Sequence, residues 1–505
     1  MDLPLRSALS LLVSEVASFF ILWSIIGTVL RIAYNYYLHP LSRFPGPPGA
    51  ACTKLWLAYM EVWKGVNLTD LRFQLHEKYG DIVRIAPNEL HFSNPSVYKE
   101  IYNLGNKWDK DHHLYYATDL DSFFGSPRYP EVKLRRGVLN PFFSKAAIVK
   151  MQHLVQERVS RLSRIARRSS DLSLGFKCFS ADATSLYCFG NCFDQTAACD
   201  FNAPLLIAME QSLPSFSLRK QFGAIVWLVR NFSNSPITSI LPSAIRSLCL
   251  LYNIIDSQSQ KIILDQQKFE ETPPSNISPK LLGSNIGGRH SRITARHILR
   301  ESQVLLCAGS SHVVGTVLMT GTYHLLHNPE MRERLFGELL TVWPNLSQPP
   351  RYETLERLPY LTAVVKETLR LAPATPVGLA RVVPPEGATI SGVRIPGGTS
   401  VSQSSLFVHL SEDVFVYADD FAPERWLGPD AAKLDQFLVA FSDGPRSCQG
   451  NNLAYCELYL GLAHLFRRFD LRIDESRPPS LDWKEHFLSY HTGEHLHVFC
   501  SPRSS

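Results

Sequence analysis

The feature that most constrains the fold of this 505-residue chain is one cysteine, Cys448, in the segment FSDGPRSCQG, residues 441–450. Gly444 and Gly450 flank this cysteine, and Arg446 stands two residues before it. Glycine lets a backbone approach another molecule closely, and arginine pairs with a carboxylate through two hydrogen bonds. A structural or redox cysteine needs neither kind of neighbour. The segment therefore predicts a loop that holds a large anionic molecule close to a thiolate.

The residues after this loop also favour a metal-binding thiolate. They read NNLAYCELYLGLAHLF, residues 451–466, which is the pattern of an apolar helix. The positive end of such a helix would lie near the sulfur and stabilise its anionic form. A thiolate is a soft ligand that suits iron, and on haem iron it favours cleavage of the O–O bond. Haem also carries propionates, for which an arginine beside the cysteine is a suitable partner.

The composition narrows the class of protein. The chain is 45% hydrophobic and 19% charged, as expected for a globular protein. Its net charge of +5 gives no reason to expect nucleic acid as a partner. Ten cysteines are scattered without a CxxC pair, so no zinc site is predicted. We expect reduced thiols, as in a protein that faces the cytosol.

An apolar segment, residues 8–30, is long enough to cross a membrane. It has 23 residues with one acid, Glu15, whereas a bilayer crossing needs about 20. Four prolines follow within residues 39–50, where they cannot continue a helix. The predicted domains are therefore a membrane anchor over 1–38, a proline-rich hinge over 39–50 and a catalytic domain over 51–505. A buried core helix is the alternative for the apolar segment, and its acid favours that alternative.

The rest of the chain predicts a mainly helical body with a small strand-rich part. Residues 79–95 alternate in the manner of two strands joined by a turn. Residues 161–168 and 330–343 have the spacing of amphipathic helices.

Two further stretches carry predictions about exposure. Residues 270–291 are rich in Pro, Ser, Gly and Asn and predict a long surface loop, which precedes a helical pattern from about 293 to 326. Near the end of the chain His495 and His497 alternate in EHLHVF, and we expect both to face solvent.

The loop around Cys448 resembles the haem-binding loop of the cytochromes P450, F-x-x-G-x-R-x-C-x-G. All five fixed positions match, and the matching residues are Phe441, Gly444, Arg446, Cys448 and Gly450. The resemblance implies the cytochrome P450 fold, mainly α with a minor β region, preceded here by one N-terminal transmembrane helix. It also implies haem b as cofactor, with Cys448 as the axial ligand of the iron and the other four residues around the haem.

Two further motifs of the same family follow in the expected order. KETLRL contains Glu367 and Arg370 on one helix face, and FAPERW supplies Arg425. In the family these three residues form one buried ion network, so the resemblance implies that they brace the loop under the haem. We assign them to folding and haem retention rather than to chemistry.

The resemblance suggests two more arginines as partners of the haem propionates. Arg136 lies in KLRRGVLNPFFS, residues 133–144, which is similar to the C-helix of the family. Arg381 follows the KETLRL helix, where the family has another propionate-binding arginine. The family often has Trp or His four residues before the C-helix arginine, whereas this chain has Val132, so one propionate donor is expected to be missing.

The segment CAGSSHVVG departs from the family's oxygen-activation motif, A/G-G-x-D/E-T-T. Ala308 and Gly309 match its small residues, whereas Ser311 and His312 stand where the family has an acid and a threonine. The acid and the threonine normally relay protons, which a hydroxyl and an imidazole can also carry. We therefore expect Ser311 and His312 to be the catalytic pair. Ligation of the iron by His312 and packing of His312 against the substrate stay open as alternatives.

The resemblance implies a monooxygenase that inserts one oxygen atom from O2 into an apolar small molecule. Electrons from NADPH would come through a separate NADPH–cytochrome P450 reductase, because the chain has no flavin or nicotinamide motif.

The fungal-looking, microsomal branch implies a secondary metabolite as substrate, a terpenoid before a polyketide or alkaloid. It also implies a single-pass protein of the endoplasmic reticulum membrane with a cytosolic catalytic domain. The predicted pocket walls are Phe123, Phe124, Leu305, Ala308, Gly309, Val377 and Leu488.

Two other functions stay open. A P450-fold isomerase, dehydratase or peroxygenase would fit the altered segment at residues 307–315. A non-catalytic haem-binding protein would fit the cysteine loop alone.

Overall fold

The computed structural model describes residues 3–118, 122–162, 169–190, 192–266, 301, 304–308 and 312–503. The predicted surface loop at 270–291 and the first part of the helix predicted from 293 lie outside the described residues. The same is true of Gly309, Ser311 and residues 163–168.

Helices form most of the described chain, as the sequence predicts. In chain order they are α1 Leu3–Ala33, α2 Pro48–Cys52, α3 Leu55–Ala58, α4 Leu68–Tyr79, α5 Val97–Ile101, α6 His112–Tyr115, α7 Tyr129–Leu139, α8 Lys145–Leu162, α9 Leu172–Phe189, α10 Pro204–Ser212, α11 Ser215–Gln221, α12 Gly223–Phe232, α13 Ser243–Gln266, α14 His312–His327, α15 Pro329–Val342, α16 Tyr352–Leu355, α17 Pro359–Leu371, α18 Leu406–His409, α19 Ala431–Leu434 and α20 Asn451–Arg468.

The strands are short and form small sheets. They are β1 Ile82–Ala86, β2 Glu89–Phe92, β3 Asp109–Lys110, β4 Ser170–Asp171, β5 Arg381–Val382, β6 Ala388–Ile390, β7 Val393–Ile395, β8 Ser400–Ser402, β9 Phe469–Ile473, β10 Trp483–His486, β11 Leu488–His491 and β12 His497–Pro502. A five-stranded sheet has the order β1-β2-β8-β5-β3, and β12 lies between β4 and β9 in another. The two strands predicted within residues 79–95 are confirmed as the antiparallel pair β1 and β2.

The N-terminal helix α1 stands apart from the body. Its side chains from Glu15 onwards are exposed, including Phe19, Phe20 and Trp23, each more than half exposed. The helix continues as a π-helical turn, Tyr34–Leu38. Since the body buries none of the apolar window that begins at Glu15, this part of the helix is not a core helix. An exposed apolar helix of this length is consistent with a membrane anchor.

The proline-rich hinge is docked on strand β1. The Arg84 amide donates to the Pro45 carbonyl oxygen (2.8 Å), and the Arg84 side chain donates to the Asn35 carbonyl oxygen (2.9 Å). A Cβ on Gly46 would lie 2.3 Å from the Arg84 carbonyl oxygen, so only glycine permits this approach. The hinge therefore fixes the direction in which α1 leaves the body.

Helix α14 is the central helix and packs against α9, α17 and α20. Two glycines permit this packing. A Cβ on Gly321 would lie 2.5 Å from the Thr368 side chain on α17, and one on Gly315 would lie 2.6 Å from the Lys177 side chain on α9. The apolar stretch Val304–His327 is also long enough to span a membrane, but its described residues are mostly buried inside the protein, as in a core helix.

The C-terminal sheet corrects one prediction. His495 and His497 are half-buried, and His495 Nδ1 lies 2.6 Å from Asp171 Oδ2. The expectation that both face solvent is therefore wrong. Alternation gives the spacing of two side chains but not whether another strand covers their face, and here β4 pairs with β12.

Candidate functional site

A buried ion network joins α17 to the segment that contains Arg425. Glu367 and Arg370 are fully buried, and the Glu367 carboxylate accepts hydrogen bonds from Arg370 (2.8 Å) and Arg425 (2.9 Å). It also accepts from the Trp426 indole and the Ala422 amide, each at 2.9 Å. The three residues that the resemblance groups together are thus in contact, and the buried negative charge is fully compensated.

A series of hydrogen bonds connects this network to the cysteine loop. Arg370 donates to the His409 carbonyl oxygen (2.7 Å), and His409 Nε2 accepts from the Val439 amide (3.0 Å). Burial, and then the charge of Arg370, lower the pKa of His409 to about 3, so its imidazole is neutral and able to accept. The Cys448 amide donates to the Phe441 carbonyl oxygen (2.8 Å), which closes the loop.

Glycine occupies the two positions of the loop for different structural reasons. Gly444 has a φ of +75°, and a Cβ there would lie 2.4 Å from the Tyr102 carbonyl oxygen, so both conformation and space require glycine. At Gly450 a Cβ would meet no protein atom within 4 Å, and this residue borders a cavity. The packing of the chain therefore leaves open space at Gly450, the N-cap residue of α20, where a ligand could approach the backbone.

Cys448 opens into the cavity, which has a volume of about 400 Å³. Enclosure by the surrounding protein raises the pKa of its thiol, while a hydrogen bond from the Gly450 backbone and the charge of Arg136 act in the opposite direction. Arg136 lies on α7 and donates to the Ser447 carbonyl oxygen (2.8 Å), which brings its charge next to the sulfur. The loop therefore offers a thiol with two groups that stabilise its anion.

Four cationic side chains lie together at this cavity. Lys110, Arg136 and Arg446 line it, and Arg381 is buried next to them without lining it. Burial, and then the neighbouring arginines, hold the pKa of Lys110 well below its usual range. Burial and Arg381 likewise lower the pKa of Arg446 to about 10. Within the described part of the chain, none of the four forms an ion pair with a carboxylate.

This cluster of cations fits the two propionate carboxylates of haem. Arg446 donates to two backbone carbonyl oxygens at residues 126–127, but its buried Nε has no partner among the described residues. Buried charges without partners are costly, and a bound dianion would remove that cost. The residues present therefore fit the group, with Cys448 for the iron and Lys110, Arg136 and Arg446 for the propionates.

Lys110 is the residue that the sequence analysis missed. Its ammonium donates to the Phe124 carbonyl oxygen (2.6 Å) and lies over the rings of Tyr115 and Phe124 (4.1 and 4.2 Å). The signal that could have found it is long-range, because Lys110 on β3 pairs with Arg381 on β5. Lys110 and Val132, the residue that stands in place of the family's C-helix donor, line the same cavity.

His312 lines the same cavity from the start of α14. It is buried, and burial and the charge of Lys177 lower its pKa to about 4, with Glu210 acting in the opposite direction. Its imidazole is therefore neutral near pH 7. Gly309 and Ser311, which the sequence places beside it, lie outside the described residues.

Much of the remaining wall is aromatic and aliphatic. Ring centroids of Phe124 and Phe487 lie 5.7 Å apart, and those of Phe216 and Phe487 lie 5.1 Å apart. Phe216 and Phe487 come from segments without a family motif, so their place here could not be predicted from the sequence. The wall residues that the sequence did predict, and that line the cavity, are Phe123, Phe124, Leu305, Ala308, Val377 and Leu488.

Known proteins resemble this chain over most of its length. The family described as Cytochrome P450 matches residues 45–497. The cytochrome P450 monooxygenase flvC of Aspergillus flavus is 34% identical over 96% of this chain and 95% of its own length. The cytochrome P450 monooxygenase aflU of Aspergillus parasiticus is 32% identical over 88% of this chain and 90% of its own length. The cytochrome P450 monooxygenase sdnE of Sordaria araneosa is 32% identical over 90% and 92%.

Substitution of Cys448 tests whether its loop holds the haem thiolate. The reduced wild-type protein with carbon monoxide should show the red-shifted Soret band of a thiolate-bound haem. Cys448→His should lose this band, because an imidazole does not donate electron density as a thiolate does. Cys307→Ala changes another cysteine that lines the cavity and should keep the band. A histidine-type band in the wild type would contradict the assignment.

Proposed function

We propose that this chain, which belongs to the cytochrome P450 family, is a haem-thiolate monooxygenase that inserts one oxygen atom from O2 into an apolar small molecule. The observation that carries the proposal is a single cavity bounded by the cysteine loop, by buried cations and by apolar walls. Haem bound by Cys448 and these cations would supply the chemistry of oxygen activation.

The chain's own residues position and protect this site. The Gly450 amide and Arg136 stabilise the thiolate of Cys448. The network around Glu367 keeps the loop in place through His409. The apolar walls exclude water from the substrate and orient it without strong polar contacts.

In the same proposal, we assign proton transfer to His312 together with Ser311. A neutral imidazole can accept a proton on one ring nitrogen and donate one from the other. The position of His312 at the cavity supports this role. Iron ligation by His312 and contact of His312 with the substrate would use the same position, and the variants below separate the three roles.

The substrate class we propose is a fungal secondary metabolite, a terpenoid before a polyketide or alkaloid. Aromatic contacts such as those of Phe487 suit a hydrocarbon skeleton with few polar groups. The relatives reported above are monooxygenases of fungi, which supports a substrate from fungal metabolism.

The proposed electron donor is a separate NADPH–cytochrome P450 reductase, since the sequence carries no flavin or nicotinamide motif. We place the protein in the endoplasmic reticulum membrane with its catalytic domain in the cytosol. The exposed apolar helix α1 supports this placement. The proposed domains are an anchor over 1–38, a hinge over 39–50 and a catalytic domain over 51–505.

Turnover with isotopically labelled O2 tests the proposed reaction. Wild-type protein, reductase and NADPH should give a product with one labelled oxygen atom, and the product should depend on both reductase and NADPH. Product formed with peroxide alone would indicate a peroxygenase, and product formed without any electron donor an isomerase or dehydratase. Binding of terpenoid candidates without turnover would support a haem-binding protein instead.

Removal of the His312 imidazole tests the proton relay. His312→Ala should keep the thiolate spectrum and the use of NADPH but divert electrons to peroxide, because general acid–base help is worth about 10²–10⁴-fold in rate. Replacing His312 with Thr and Ser311 with Asp should retain more coupling of NADPH use to product. Unchanged coupling in His312→Ala would make the residue a pocket wall. A low-spin spectrum that the same variant loses would make it an iron ligand.

Deletion of residues 1–33 tests the predicted membrane anchor. A chain without residues 1–33 should leave carbonate-washed membranes and keep its haem spectrum, because the body does not bury the apolar window of α1 from Glu15 onwards and Asn35 still contacts Arg84. Residues 1–38 fused to a soluble reporter should carry the reporter to the endoplasmic reticulum. Loss of haem from the truncated protein, or a soluble reporter, would contradict the assignment.

A further inference from the structure

We propose that Glu210 passes solvent protons to His312, and that Lys177 holds Glu210 in place for this transfer. The inference rests on the proposed function, because it assigns the source of the protons that the distal side of a monooxygenase consumes. Glu210 and Lys177 act through His312 and do not line the cavity, so they are positioning residues.

The geometry places a partly exposed carboxylate next to the buried imidazole. His312 Nε2 lies 3.9 Å from Glu210 Oε1, and the Lys177 ammonium donates to the same carboxylate oxygen. The separation of the imidazole and the carboxylate is about 1 Å longer than a hydrogen bond, so a small side-chain movement closes it. The Glu210 side chain is 18% exposed, whereas those of His312 and Lys177 are each 4% exposed. Solvent protons can therefore reach the carboxylate, and the imidazole stands next to it.

The packing of three helices fixes this arrangement. His312 is the first residue of α14, Lys177 lies on α9 and Glu210 lies on α10. Gly315 allows α14 to approach α9, since a Cβ there would lie 2.6 Å from the Lys177 side chain. Asp171 caps α9 by accepting from the Leu174 amide (3.0 Å) and so orients the helix that carries Lys177.

The charges in this cluster act on the imidazole in opposite directions. Burial and Lys177 lower the pKa of His312, and Glu210 raises it. Burial raises the pKa of Glu210, but Lys177 and His312 outweigh it and the net shift is downward, so the carboxylate is ionised near pH 7. An ionised carboxylate beside a neutral imidazole stabilises the protonated imidazole whenever a proton arrives.

Other titratable groups face this pair from neighbouring elements. His495 has a raised pKa because it is bonded to Asp171, and its charge acts on Glu210. On β11 the charges of Lys177 and Glu210 act on the pKa of His491, and the charge of Glu210 also acts on the pKa of Tyr490. From α20, Glu457 lines the same cavity; burial raises its pKa to about 8, and it accepts from Ser180.

The transfer balances in protons and charge. One proton moves from solvent to the Glu210 carboxylate and on to His312 Nε2, while His312 gives one proton to the cavity. After the transfer Glu210 is again ionised, Lys177 is still an ammonium and His312 is neutral as its Nε2–H tautomer, which returns to the starting tautomer before the next transfer. No electrons move within the cluster.

The first measurement follows the infrared C–O stretch of carbon monoxide bound to the reduced protein, which reports a proton or hydrogen-bond donor at the distal wall without any turnover. The wild type should show two bands whose ratio changes as the pH is lowered towards about 4, the pKa to which burial and Lys177 lower His312. Glu210→Gln should lower the midpoint by about one pH unit and Lys177→Met should raise it, because the two charges act in opposite directions. Glu210→Asp keeps a carboxylate and should stay close to the wild type.

The second measurement is the share of NADPH electrons that reach product. Glu210→Gln should lower the rate of proton delivery about tenfold near neutral pH, since one unit of pKa changes the protonated fraction about tenfold. Glu356→Gln is the matched control, because Glu356 is also paired with a lysine (2.8 Å) and its side chain is 21% exposed, away from the cavity lining. This control should change neither the band midpoint nor the coupling.

The outcomes separate this inference from the proposed function. A midpoint that stays in place in both Glu210→Gln and Lys177→Met overturns the proton route, as does a wild type without any titrating band. A titrating wild type that transfers no labelled oxygen overturns the monooxygenase proposal but leaves the proton route intact. Should Glu210→Gln fail to fold, Lys177→Met still decides the matter through the direction of its shift.

Discussion

The buried carboxylate of Glu367 holds together the parts of the chain that support the candidate haem site. Two guanidinium groups, an indole and an amide all donate to it, so its charge is compensated inside the protein. Removal of one partner from such a pair costs about 3–5 kcal/mol, because a buried charge is then left alone. Through Arg370 and His409 the same network reaches Val439, two residues before the cysteine loop.

The cations near Cys448 differ from the network around Glu367, because the described residues do not compensate their charges with carboxylates. The charges around Glu367 are satisfied by the chain, which is what a structural network requires. Lys110, Arg136 and Arg446 have no carboxylate partner in the described part of the chain, although they are at least partly buried. Charges that the chain itself compensates thus mark the part of the site that supports the fold. Charges without a carboxylate partner in the described part of the chain mark the part where an anionic ligand would bind.

The sequence predicted the features that depend on neighbours along the chain. Short fixed spacings made three features predictable from the sequence. These are the cysteine loop, the pair Glu367 and Arg370, and strands β1 and β2. Lys110 was missed because its role depends on the register of β3 against β5. The exposure of His495 was misjudged because the covering strand, β4, comes from a distant part of the sequence.

The distal side shows how a local departure from a motif is met by long-range packing. The family's acid and threonine occupy one helix, whereas this chain has Ser311 and His312 in those positions. A carboxylate needs only to lie within a few ångströms of an imidazole to act on it, whichever helix carries it. Glu210 meets this condition from α10, and the close approach of α9 to α14 brings Lys177 to the same carboxylate. A carboxylate thus lies near His312 although the local motif has none, and only the packed structure makes this visible.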